Sequence, residues 1–164
     1  MAVVSNTSPI LALSAIGQLD LLKEQFGEVL IPEAVQTELK TDTDFRGTND
    51  IRQALKQGWL KVQSVKNTHL VQALAMELDY GEAEAIALAL ETQSQIILLD
   101  EHEGRAKARA LGLQPIGVLG ILLRAKKNGR IDSLKKTIES LQSEVGFFIA
   151  EDLVHDILKR AGEM

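Results

Sequence analysis

The chain has 164 residues, a formal net charge of −5, 45% hydrophobic and 4% aromatic residues, and no cysteine. That length suits one domain, residues 1–164, with a core of Leu, Ile, Val and Ala. The lack of cysteine excludes a disulfide scaffold, a thiolate zinc site and a cysteine nucleophile, and it suits a reducing cytoplasm.

The opening MAVVSNTSPILALSAIG has no basic leader, and Asn6, Ser8 and Pro9 interrupt its apolar run. No window reaches the roughly 18 uninterrupted apolar residues of a membrane span, so a soluble, cytoplasmic protein with no membrane partner is expected. Val3-Val4 reads as a short strand, and Ser8 as the cap of a helix whose first residue is Pro9. A second helix, Leu19 to Phe26, ends at Gly27, and residues 28–31 form a strand before Pro32 opens the helix Glu33–Lys40. Thr41–Asn49 is a polar loop, Asp50–Gln57 a helix closed by Gly58, and Leu60–Val65 alternates as a strand does. His69–Leu78 is helical, residues 79–81 form a turn, and Glu82–Glu91 is an Ala-rich helix. The unbroken apolar run Ile96–Leu99 reads as a central parallel strand. Helix Gly104–Leu111 and the short strand Pro115–Ile116 follow, then helices Val118–Lys127, Ile131–Ser143 and Ala150–Ala161, with an added strand at Val145–Ile149. This alternation predicts a three-layer α/β/α domain with a mostly parallel central sheet and a helical C-terminal extension.

In such sheets the working site lies beyond the carboxyl ends of the strands. That rule selects Asn6 and Thr7 after the first strand, Glu38 on the helix after the second, Glu82 and Glu84 opening the Ala-rich helix, and Asp100, Glu101 and Glu103 after Ile96–Leu99. Carboxylates converging there would repel one another, and a hard divalent cation such as Mg²⁺ or Mn²⁺ removes that penalty. Each acid also has a plainer reading. Glu82, Glu84, Glu101 and Glu103 suit the first turn of a helix through its dipole, and Glu38 suits a solvated helix face. Asp100 is the hardest to explain so, because it directly ends an apolar strand.

Four segments carry a family resemblance. VVSNTSPILALSAIG, EVLIPEAVQTELK, GEAEAIALALE and IILLDEHEGRAKARALGL occur in the order of the blocks of PIN-domain proteins, over residues 2 to 128. The chain is most similar to a PIN-like branch described as predicted nucleic-acid-binding proteins, related to VapC-type toxins. The resemblance implies a Mg²⁺- or Mn²⁺-dependent ribonuclease. It places Asn6, Glu38, Glu82 and Asp100 at the catalytic positions, with Glu38, Glu82 and Asp100 as metal ligands and Glu84, Glu101 and Glu103 as alternates. Thr7 and Ser8, in the polar turn of the first block, are candidates for contacting nucleic acid. The family's first-strand aspartate falls on Asn6, whose amide oxygen ligates without formal charge, so a weak or inactive nuclease stays open.

From Gly104 to Lys136 there are nine basic residues and one acid, a local charge of +8 that leaves −13 for the remainder. Arg105, Lys107 and Arg109 lie beside the acids and would form a cationic rim for an RNA backbone; a solvated helix face is the alternative. Tyr80 is expected to pack rather than to stack a base, and His102 to be a surface residue.

Two functions follow. One is a metal-dependent endoribonuclease, the toxin-like component of a two-gene module, acting on RNA and controlled by a small antitoxin-like protein. The other is a catalytically retired fold that binds RNA or protein. A phospho-acceptor receiver domain fits poorly, since it needs paired acids where this chain has Asn6-Thr7. Homodimerisation is implied by the resemblance alone, and the apolar face Leu153, Val154, Ile157 and Leu158 is expected to dock on its own domain.

Overall fold

The computed structural model describes residues 2–164. In chain order the elements begin with β1 (Val3–Ser5), α1 (Thr7–Ala15), α2 (Asp20–Phe26), β2 (Val29–Ile31), α3 (Glu33–Leu39), α4 (Thr48–Gln57) and β3 (Leu60–Val62). They continue with α5 (Thr68–Leu74), α6 (Tyr80–Glu91), β4 (Ile96–Leu98), α7 (His102–Ala110), β5 (Gln114–Ile116) and α8 (Val118–Lys127). The chain closes with α9 (Leu134–Ser140), a π-helical turn (Leu141–Val145) and α10 (Glu151–Arg160).

The strands form one sheet in the order β3-β2-β1-β4-β5, and every pairing is parallel. Successive side chains of a strand point to opposite faces. Val3, Val29, Ile31 and Leu98 therefore enter one aliphatic core with residues of α1, α2, α4, α8, α9 and α10, while Val4, Leu30, Ile97 and Leu99 enter the other with α5, α6 and α7. This is the three-layer α/β/α arrangement expected from the alternation of elements. Ile157 and Leu158 of α10 are buried in the first core, so that helix does dock on its own domain, while Leu153 stays largely exposed.

Three local expectations are corrected. Helix α1 starts at Thr7, with Asn6 extended before it and making no side-chain cap, so Pro9 is the third helical residue and Ser8 is not the cap. Proline is tolerated there because the first four helix N–H groups lack helical partners. Residues 79–81 are not a free turn. Asp79 caps α6, its Oδ1 accepting from Glu82 N at 2.8 Å while Glu82 Oε1 accepts from Asp79 N at 3.3 Å. Finally, Val145–Ile149 pairs with no strand. The π-helical turn runs to Val145, Gly146 takes a left-handed φ of 70°, and Phe147 and Ile149 pack onto the core without a ladder.

Candidate metal and phosphate site

From β1 the connections run outward through β2 to β3, whereas β4 and β5 lie on the other side. The sheet's topological switch point thus falls between β1 and β4, where open parallel sheets bind ligands. Ser5 pairs with Leu98, and Asn6 N donates to Leu98 O at 2.9 Å. Asn6 and Asp100 consequently leave adjacent strand ends, and the capped first turn of α6 brings Glu82 to the same edge.

Among the described residues, seven buried side-chain polar atoms lack a hydrogen-bond partner, and five of them are here: Asn6 Oδ1, Thr7 Oγ1, Ser8 Oγ, Glu82 Oε2 and Asp100 Oδ2. Buried polar atoms are almost always satisfied, so such a concentration on one edge makes it the candidate site. Glycines leave room for the acids. A Cβ on Gly81 would fall 2.0 Å from Glu38 Oε1, one on Gly104 2.6 Å from Glu82 Oε2, and one on Gly117 2.7 Å from Asp100 Oδ1.

The electrostatics follow from this crowding. Asn6 and Glu82 are each only 5% exposed. Burial, reinforced by the neighbouring Asp79 carboxylate and more weakly by Glu101, pushes Glu82 up to about 7. Burial likewise raises Asp100 to about 6, against the pull of the Val118 N–H, which donates to Oδ1 at 2.9 Å, and of Arg105. The Ser8 hydroxyl also draws it down, although neither Ser8 Oγ nor Asp100 Oδ2 has a hydrogen-bond partner. Glu38, on an exposed stretch of α3, is raised by burial of its carboxyl and by Asp79, and Thr7 opposes the shift. These couplings describe an arc, Glu38–Asp79–Glu82–Glu101–Asp100, with Asn6, Thr7 and Ser8 beside it. Asp79 is the member that sequence reasoning missed. Its signal was present, since D-x-x-E before an apolar helix is a capping-box spacing.

Other candidates lie elsewhere. Glu84 Oε1 accepts from Ala34 N at 2.9 Å, so it serves the first turn of α3 rather than the arc. Glu103 is exposed on α7 and borders a separate hollow with Glu77 and Lys107. Lys107 is paired with Glu77 at 2.5 Å. Arg105 is turned inward, donating from Nη1 to Leu99 O at 2.9 Å, and its pKa is lowered by burial and by Arg109. Arg109 remains exposed.

Two of the six other basic side chains between Gly104 and Lys136 have structural partners. Arg130 pairs with Glu24, and Lys126 reaches Glu163 at 3.3 Å and the Asp132 carbonyl. Glu163 also accepts from Leu134 N at 2.6 Å and Lys135 N at 3.1 Å, fastening the chain end to the start of α9. His102 is on the surface as expected, but Tyr80 is 58% exposed instead of packed, its phenol pKa raised chiefly by Glu84.

Among the described residues, no three carboxylate or imidazole side chains stand close enough to cage an ion by themselves. The donor set still fits a hard cation of the magnesium type, which binds through one or two carboxylates and keeps several waters. Asn6 Oδ1, Glu82 Oε2 and Asp100 Oδ2 are oxygens of that kind, buried and unpartnered. No described helix is long and apolar enough to cross a membrane. A family model, DUF3368, described as a PIN domain, matches residues 2–163. Comparison with curated proteins and with solved structures gives no match.

Proposed function

Because the chain belongs to the PIN-domain family, we propose that it is a metal-dependent endoribonuclease hydrolysing RNA phosphodiesters at the β1–β4 strand ends. The observation that carries this reading is the concentration of unpartnered buried oxygens at the switch point, backed by an arc of carboxylates. Asn6, Glu82 and Asp100 would hold Mg²⁺ or Mn²⁺, with Glu38, Asp79 and Glu101 completing the negative field. A bound divalent ion supplies Lewis acidity and a more acidic water. The Thr7 and Ser8 hydroxyls, buried and without a partner at hydrogen-bonding geometry, suit the non-bridging oxygens of a phosphate. The Val118 N–H fixes Asp100 through Oδ1 and leaves Oδ2 for the site.

The biological setting we infer is a cytoplasmic, toxin-like component of a two-gene module, homodimeric and restrained by a small antitoxin-like protein. A second reading rests on two observations, the neutral Asn6 and the lack, among the described residues, of a ready three-acid cage. On that reading the fold is catalytically weak or retired and binds RNA or protein. Calorimetry with Mn²⁺, run beside a cleavage assay on single-stranded RNA, separates the two. The nuclease reading expects saturable Mn²⁺ binding and cleavage, both weakened by Asp100→Asn. No saturable binding at millimolar Mn²⁺ would leave only the second.

A further inference from the structure

The site does not end at the carboxylates. A groove of about 940 Å³ opens from Ser8, Asp100 and Glu101 and runs across the start of α8 to the segment before α10. Its far half is apolar and aromatic, lined by Phe147, Phe148, Leu153 and Ile157, with Arg160 at the rim. Phe147 is anchored against the core, but Phe148 is 89% exposed and Leu153 47% exposed. The floor between the halves includes Gly117 and Gly120, and a Cβ added at Gly120 would meet only Ile116 Cγ2, at 3.5 Å. Two chemistries thus share one trough: buried oxygens at one end, an open aromatic face with a cation at the other.

We propose that this groove is the base-binding subsite for a single-stranded RNA, in which Phe148 stacks a nucleobase adjoining the phosphate held at the strand ends and Arg160 meets the next phosphate. The inference rests on the ribonuclease reading for the identity of the strand. The occupant is argued from continuity: a chain whose phosphate lies against Ser8 and Asp100 must send its neighbouring nucleotide somewhere, and the groove is open there. An exposed aromatic face suits an unstacked base of any identity, whereas a folded duplex would keep its bases out of reach. Arg160 supplies charge complementary to the backbone, which the acid end of the groove does not.

The test uses the full chain and a short single-stranded RNA containing 2-aminopurine, whose fluorescence is quenched by stacking. Binding is read in EDTA and cleavage is read separately in Mn²⁺. The expected result is saturable quenching by the wild type and by Phe148→Tyr. Phe148→Ala should bind about tenfold more weakly with little quenching, the loss ordinarily associated with one stacked base. Arg160→Ala should lower the slope of affinity against salt by about one phosphate contact.

Since Phe148 and Arg160 are both exposed, thermal melts should be unchanged in each variant. If Phe148→Ala binds, quenches and cleaves as the wild type does, the subsite is wrong and the ribonuclease reading stands. If quenching follows Phe148 but no variant or wild type cleaves in Mn²⁺, the subsite stands and the ribonuclease reading fails. The chain has no cysteine, so Phe148→Cys carries a single photocrosslinker. Crosslinking to RNA supports the proposal. Crosslinking only to a second copy of the chain would overturn it in favour of a protein interface.

Discussion

At the start of α9, the Glu163 carboxylate accepts two backbone N–H groups and lies beside Lys126; at the strand ends, Glu82 and Asp100 each leave an oxygen buried and unpartnered. Burial tends to raise all three pKa values. At Glu163 the N–H donors and Lys126 overcome it and the pKa is lowered, whereas at Glu82 and Asp100 it prevails. The same side-chain chemistry thus holds the fold together in one place and strains it in the other. Unsatisfied buried carboxylates weaken a fold, so their clustering on one edge supports the binding role proposed for them.

The largest expected effect removes the strained half of this contrast. Asp100→Ala should lower RNA cleavage by about 100-fold or more, the scale on which loss of one preorganised electrostatic group acts. A melt in EDTA should show little change in metal-free thermal stability, because relief of a buried charge is offset by loss of the acceptor for the Val118 N–H. A stability loss with unchanged cleavage would make Asp100 a structural residue like Glu163.

Next in size is Asn6→Asp, which adds the charge the family pattern carries. Mn²⁺ affinity by calorimetry should tighten about tenfold, or about 1.4 kcal/mol, while the metal-free protein should melt earlier because a further buried carboxylate joins the arc. Equal affinity in both variants would show that the amide oxygen already serves fully.

The two smallest effects have opposite signs on pH. Glu163 has a depressed folded pKa, so its contribution is present above the unfolded value near 4.5 and is lost as pH falls through the folded one. Glu163→Gln should therefore lower the melting temperature near neutral pH by about 3 °C, the equivalent of about 1 kcal/mol in a chain this size, and do little in acid. Glu82 has a raised folded pKa, so stability of the metal-free protein is full below 4.5 and declines as pH rises through about 7. Glu82→Gln should flatten that decline by a degree or more, with no gain below pH 4.5. Melts of both variants across pH in EDTA measure the two slopes together, and parallel slopes would erase the contrast.

Much of this was legible in the sequence because it depends on periodicity and strand ends. The apolar run ending at Asp100 and the short strand at Val3-Val4 are enough to place the central strands and the edge where their carboxyl ends lie. What escaped depends on partners remote in the chain. Glu84 and Glu82 share a helix and a composition, yet Ala34 N, 50 residues away, claims Glu84 for α3. Lys107 looks like a rim cation until Glu77 is brought beside it. Asp79 is hidden for another reason: Asp-Tyr-Gly has the composition of a turn, while Asp79 is the cap of the helix that Tyr80 and Gly81 begin. The stretch Val145–Ile149 has strand composition but no sheet edge to join, so it packs as irregular chain and gives the groove its aromatic wall.

The capping box at the start of α6 gives the site a kinetic signature. Glu82 faces two ways: Oε1 accepts from the Asp79 amide at 3.3 Å, while Oε2 is buried toward the strand ends. Whatever draws the carboxylate toward Oε2 lengthens a bond that is already long, and whatever releases it lets the cap close. Solvent exchange of the Asp79 amide proton is therefore expected to respond to a ligand on Glu82, while the Glu82 amide, secured by Asp79 Oδ1 at 2.8 Å, serves as an internal reference one turn away. If the centre proposed above binds a cation, the ratio of those two exchange rates should change when Mn²⁺ is added to the folded protein.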